Sequence, residues 1–85
     1  MNYKDDIPCV VFTIMKMPMV KKYRDDYSMA RMYEGDLHIP LYNARKNYFN
    51  KTIKEIEKIK GVKRVCYDKA QDATTCDFLR VYFKK

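Results

Sequence analysis

Apolar residues run almost unbroken from Ile7 to Met17, with Val10, Phe12 and Ile14 on one face of an extended chain and Cys9, Val11, Thr13 and Met15 on the other. Two apolar faces predict a strand at the centre of a sheet, ended by Pro18, which has no amide to offer a ladder. Beyond Pro18 two patterns compete. Met19, Val20, Tyr23, Tyr27 and Ala30 recur at helical spacing, with Pro18 at a first-turn position and Gly35 as a stop, whereas Tyr27 to Tyr33 also fits a strand. The helical reading is preferred.

Asp36 to Tyr42 alternates, with Leu37, Ile39 and Leu41 on one side against His38 and Tyr42, and Pro40 predicts a short edge strand or an extended connector. From Asn43, an N-cap residue type, to Lys60 the apolar positions Phe49, Ile53, Ile56 and Ile59 are separated by four and three, which predicts a helix closed by Gly61. Val62 to Lys69 and Thr74 to Lys84 then form a hairpin turning around Ala70, Gln71 and Asp72. These elements predict one α+β domain over residues 1–85: a mostly antiparallel sheet of three or four strands, with one or two helices packed on one face.

At 85 residues the chain has room for one domain, and 47% hydrophobic against 34% charged residues is the composition of a folding sequence. The longest apolar run is far shorter than the ~20 residues that span a bilayer, and it follows Asp5 and Asp6 rather than bases. No signal peptide or membrane span is expected. The three cysteines, Cys9, Cys66 and Cys76, have no C-x-x-C spacing, so a reducing, cytoplasmic setting is expected. If Lys69 to Ala73 made a tight turn, Cys66 would face Cys76 and a cross-strand disulfide would be within reach, although free thiols in a core are the commoner outcome.

Little in the chain suggests catalysis. Gly35 and Gly61 are the only glycines, too few for a dinucleotide-binding triplet or a phosphate-cradling loop, and His38 is the only histidine. Asp25, Asp26, Glu34, Asp36 and His38 lie close enough in sequence to suggest a divalent metal site, but the adjacent pair Asp25 and Asp26 points apart and is better read as a solvated turn balancing Lys21, Lys22 and Arg24. The expectation is a non-enzymatic binding protein with no cofactor, no metal and no catalytic residue.

Charge narrows where binding would occur. Residues 1–42 carry six bases and six acids, while residues 43–85 carry twelve bases against five acids and so hold the whole net charge of +7. On the second-half helix Lys51, Lys54 and Lys58 fall in one arc opposite the isoleucines, although Glu55 and Glu57 also make this the salt-bridged solvent face of an ordinary helix. In the last strand Leu79, Val81 and Phe83 alternate with Phe78, Arg80, Tyr82 and Lys84, and Arg64 of the neighbouring strand shares the second face. Rings interleaved with bases on an open sheet are what a single-stranded DNA or RNA platform needs, because rings stack on bases and cations meet phosphates.

The same rings would serve a protein interface. Five methionines between positions 15 and 32 and eight tyrosines in all suit a regulator or inhibitor, of the type viruses encode, that occludes an acidic or nucleic-acid-binding protein stoichiometrically. A homodimer formed through the sheet would bury Phe78 and Tyr82. Because the excess charge lies on the helix and hairpin, nucleic acid is the first expectation and a protein partner the alternative.

Overall fold

The computed structural model describes residues 3–25, 30–33, 35–72 and 76–84. Among them the elements are α1 (Tyr3–Met15), α2 (Pro18–Tyr23), β1 (Arg31–Tyr33), β2 (Asp36–Leu41), a 3₁₀ turn (Lys46–Phe49), α3 (Asn50–Glu57), β3 (Val62–Asp68) and β4 (Asp77–Phe83). One antiparallel-paired sheet has the order β1-β2-β4-β3. Since β4 runs antiparallel to both neighbours, β2 and β3 point the same way. The 3₁₀ turn and α3 carry the chain from one to the other, and β4 fills the slot between them, a split β-α-β arrangement.

The α+β class expected from the pattern is the class observed, but its first element is different. The run after Ile7 is helical, and the expected central strand does not exist. In α1, Val10 and Ile14 are buried and Ile7, Val11 and Met15 are half-buried, a stripe at spacings of three and four, while Phe12 is 61% exposed. A run in which nearly every position is apolar satisfies both the strand and the helix period, so periodicity alone does not separate them. Pro8 lies inside α1 and offers no amide to the Lys4 carbonyl, and Thr13 Oγ1 donates to the Cys9 carbonyl at 2.9 Å.

Pro18 stands at the start of α2, where its missing amide costs nothing, and Lys21 and Lys22 occupy the last turn, where the helix dipole favours cations. The preferred helical reading holds from Pro18 to Tyr23; Ala30 falls outside it, Arg31–Tyr33 is a strand, and Tyr27 lies outside the described residues.

β2 is an interior strand rather than the edge that Pro40 suggested. β1 pairs with it only from Arg31 opposite His38 to Tyr33 opposite Asp36, so no β1 residue stands opposite Pro40. The chain leaving α2 uses that end instead: Asp25 N donates to the Pro40 carbonyl at 2.9 Å, and Tyr42 N donates to the Tyr23 carbonyl at 2.7 Å.

The helix expected from Asn43 to Lys60 is shorter. Asn43 is no N-cap, having a φ of 54°, and the regular helix runs only from Asn50 to Glu57, entered through the 3₁₀ turn. Gly61 does hold a left-handed conformation, φ 96°, in the turn that starts β3.

The terminal hairpin forms with a register shifted by four from the tight-turn geometry: Cys66 faces Arg80, not Cys76, and all three thiols are free. Asp77 explains the wider connection. Its carboxylate accepts from the Tyr67 hydroxyl and from Ala70 N, the latter at 2.7 Å, tying the β3 end of the loop to the first residue of β4. Burial and the carboxylate together hold the Tyr67 phenol above its usual ionisation range. Asp77→Ala leaves a half-buried hydroxyl and an amide without their acceptor and is expected to cost about 2 kcal/mol. The check is urea unfolding with a lowered midpoint and an unchanged slope.

The core lies between the helices and one face of the sheet. Ile14, Val20, Phe49 and Ile56 from the helical layer meet Leu37, Ile39 and Leu41 of β2, Val65 of β3, and Leu79, Val81 and Phe83 of β4, all buried.

Candidate functional site

Strand alternation leaves the other face of the sheet to Asp36 and His38 on β2, Phe78, Arg80 and Tyr82 on β4, and Arg64, Cys66 and Asp68 on β3. The inward residues of β4 are buried, while Phe78, Arg80 and Tyr82 are half-buried and Arg64 is exposed, a pattern that leaves the outward face accessible. Arg64 lies opposite Tyr82, and its guanidinium carbon stands 4.4 Å from the centre of the Tyr82 ring. The Arg80 guanidinium carbon is 5.4 Å from the same ring. Two cations on one ring hold its plane in place, each contact contributing about 0.5–1 kcal/mol at an exposed position.

Arg80 is further fixed by an ion pair, Nη1 to Asp68 Oδ2 at 2.9 Å, and that hydrogen bond raises its already high pKa. Arg80 is therefore a positioned cation with part of its charge answered by Asp68, whereas Arg64 is exposed. Phe78 packs edge-on against His38, ring centres 6.4 Å apart. Lys84, exposed just beyond β4, donates its backbone N–H to the Gly61 carbonyl at 2.8 Å. The hairpin half of the expected site is thus brought together as one surface: Arg64, Phe78, Arg80 and Tyr82, with Lys84 at its end.

The helix half is not part of that surface. Lys51 and Lys54 are exposed on α3 and Lys58 caps its C-terminus, but α3 buries Ile56 against the core face of the sheet, so its outer side is turned away from the hairpin's open face. Glu55 and Glu57 are exposed among these lysines. The two basic features sit on opposite layers of the domain and cannot share one flat ligand. Of the acidic group, Asp36 and His38 project from β2 two positions apart, and Asp26 and Glu34 lie outside the described residues.

A second group of rings has no counterpart in the sequence pattern. Tyr23, at the end of α2, packs on Tyr48 at 5.5 Å between ring centres and edge-on against Phe49 at 5.8 Å, and Phe49 meets Tyr67 at 5.8 Å. The row runs from the surface into the core, since Tyr48 is 40% exposed and Phe49 fully buried. Tyr23 and Tyr48 lie 25 positions apart, and no local spacing links them. Among the described residues no helix is long and apolar enough to cross a membrane. No protein-family model, curated protein or solved structure matches the chain, so its geometry is what a functional reading has to rest on.

Proposed function

We propose that the protein is a non-enzymatic binder of single-stranded nucleic acid that uses the open face of its terminal hairpin. The observation that carries this reading is the Tyr82 ring with the Arg64 and Arg80 guanidinium carbons 4.4 and 5.4 Å from its centre, on the strand face that also carries Phe78. Nucleobases stack on aromatic rings and on guanidinium planes, and the same guanidinium groups neutralise phosphates. The positions alternate along β4 at the pitch of a strand, so rings and cations recur every two residues along a straight line.

The test is titration of a fluorescent dT20 strand at low ionic strength. Arg64→Ala combined with Tyr82→Ala is expected to weaken binding at least tenfold and to reduce the salt slope by about 0.7, one phosphate's worth for a single strand, while Lys60→Ala has a smaller effect. A wild-type protein that gives a flat titration, or a double variant that binds as wild type, sinks the proposal.

A second reading, a regulator that occludes a larger protein, is favoured by apolar side chains exposed in the neutral half of the chain: Phe12 at 61% and Met32 at 44%. Its test is a defined stoichiometric complex surviving nuclease treatment and lost on Phe12→Ser with Met32→Ser.

A further inference from the structure

The even split of charge in the first 42 residues hides an order that folding exposes. No acid occurs from Ile7 to Arg24, a stretch holding Lys16, Lys21, Lys22 and Arg24, and none from Leu37 to Lys54, a stretch holding Arg45, Lys46, Lys51 and Lys54. All eight bases are exposed. The fold joins the two stretches: Tyr42 N donates to the Tyr23 carbonyl at 2.7 Å, and the Tyr23 and Tyr48 rings pack 5.5 Å apart. Around that junction Tyr42 is 66% exposed and Tyr48 40% exposed. Lys22 Nζ stands 5.4 Å from the centre of the Tyr23 ring, and Arg45 starts the 3₁₀ turn whose first hydrogen bond runs from Tyr48 N to the Arg45 carbonyl at 3.0 Å.

We infer that Lys22, Tyr42, Arg45, Lys46 and Tyr48, floored by Tyr23, form a second contact surface for a single nucleic-acid strand, with Tyr42 and Tyr48 as the stacking rings. This inference rests on the nucleic-acid reading for the class of ligand and adds a separate surface to it. Several features favour such a strand over an acidic protein. Two exposed rings offer π-faces that acidic side chains do not need, while the bases around them carry charge for a continuous polyanion. The packing of Tyr48 on Tyr23 and of Tyr23 on the buried Phe49 gives the outer ring a rigid support, so stacking a base orders little that is not already ordered.

The surface also adjoins the hairpin face. Tyr42 follows Leu41 at the end of β2, two positions past Pro40, and Pro40 lies opposite Phe78.

The experiment compares two double variants with wild type by anisotropy of labelled dT20 at low ionic strength, with inorganic polyphosphate as a ringless polyanion. Tyr42→Ala with Tyr48→Ala removes rings and no charge. It is expected to weaken dT20 binding by about 5- to 150-fold per stacked base while leaving polyphosphate binding unchanged. Tyr42→Ala alone, at a position with little packing to lose, is expected to show about half of that effect on a logarithmic scale.

If the tyrosine variants bind dT20 as wild type does while Arg64→Ala with Tyr82→Ala weakens it, the second surface is overturned and the hairpin reading stands. If only the tyrosine variants weaken it, the hairpin reading falls and the second surface stands. An equal loss of polyphosphate and dT20 binding overturns the stacking role, and failure of wild type to bind dT20 overturns both surfaces.

Discussion

Phe49→Ala should be the most damaging single side-chain truncation in the molecule, lowering stability by about 3–5 kcal/mol. Phe49 is fully buried where the 3₁₀ turn enters α3, and it touches rings from two other elements, Tyr23 of α2 and Tyr67 of β3. Removing it leaves a cavity bounded by rigid rings, and a site of that kind collapses poorly. A domain of this length has on the order of 4–13 kcal/mol in total, so the loss is a large part of it. The expected drop in thermal midpoint is about 15–30 °C. Phe49→Leu keeps most of the volume and should cost less than half as much. Thermal unfolding followed by far-ultraviolet circular dichroism distinguishes the two variants, and near-equal midpoints for alanine and wild type would show that Phe49 is not the junction of helices and sheet.

The parts of the fold legible in the sequence are those whose period excludes alternatives. Leu79, Val81 and Phe83 alternate strictly with Phe78, Arg80, Tyr82 and Lys84, and no helix would bury the first three together, so both faces of β4 could be read before the structure was known. Pro40 illustrates a rule that holds only with its condition attached. Proline is excluded from the middle of a sheet because a carbonyl opposite it goes unsatisfied, and β1 does not reach the position opposite Pro40. The hairpin register was not legible because it depends on one carboxylate, Asp77, bonding Tyr67 and Ala70 across a loop of unforeseen length.

The binding surfaces divide in the same way. Arg64 and Tyr82 could be placed together from strand alternation, a local property. The separation of Lys51, Lys54 and Lys58 from them could not, since charge counted along the chain does not say on which layer it lies. Nor could the meeting of Tyr23, Tyr42 and Tyr48, which depends on the segment after α2 pairing with the end of β2. Net charge in the first half is zero by count, yet its bases and acids are segregated into different stretches, and only folding sets the basic stretch of one half against that of the other.

The run from Ile7 to Met15 permits a sharp test, because strand and helix make opposite statements about two residues two positions apart. On a strand Phe12 and Ile14 share a face and should be about equally costly to lose. On α1 they do not: Ile14 is fully buried against Val20 and the sheet's core residues, and Phe12 is 61% exposed with Lys16 Nζ 4.1 Å from its ring centre. Ile14→Ala is therefore expected to cost about 2–5 kcal/mol, whereas Phe12→Ala loses one surface cation–π contact worth about 0.5–1 kcal/mol and gains helix propensity in return. Val10→Ala, one helical turn before Ile14, should resemble Ile14→Ala rather than Phe12→Ala, though with a smaller effect for its smaller side chain. Denaturant unfolding of the three variants gives the order Ile14, Val10, Phe12 if the segment is the helix that roofs the sheet, and comparable losses at all three positions would return it to the sheet.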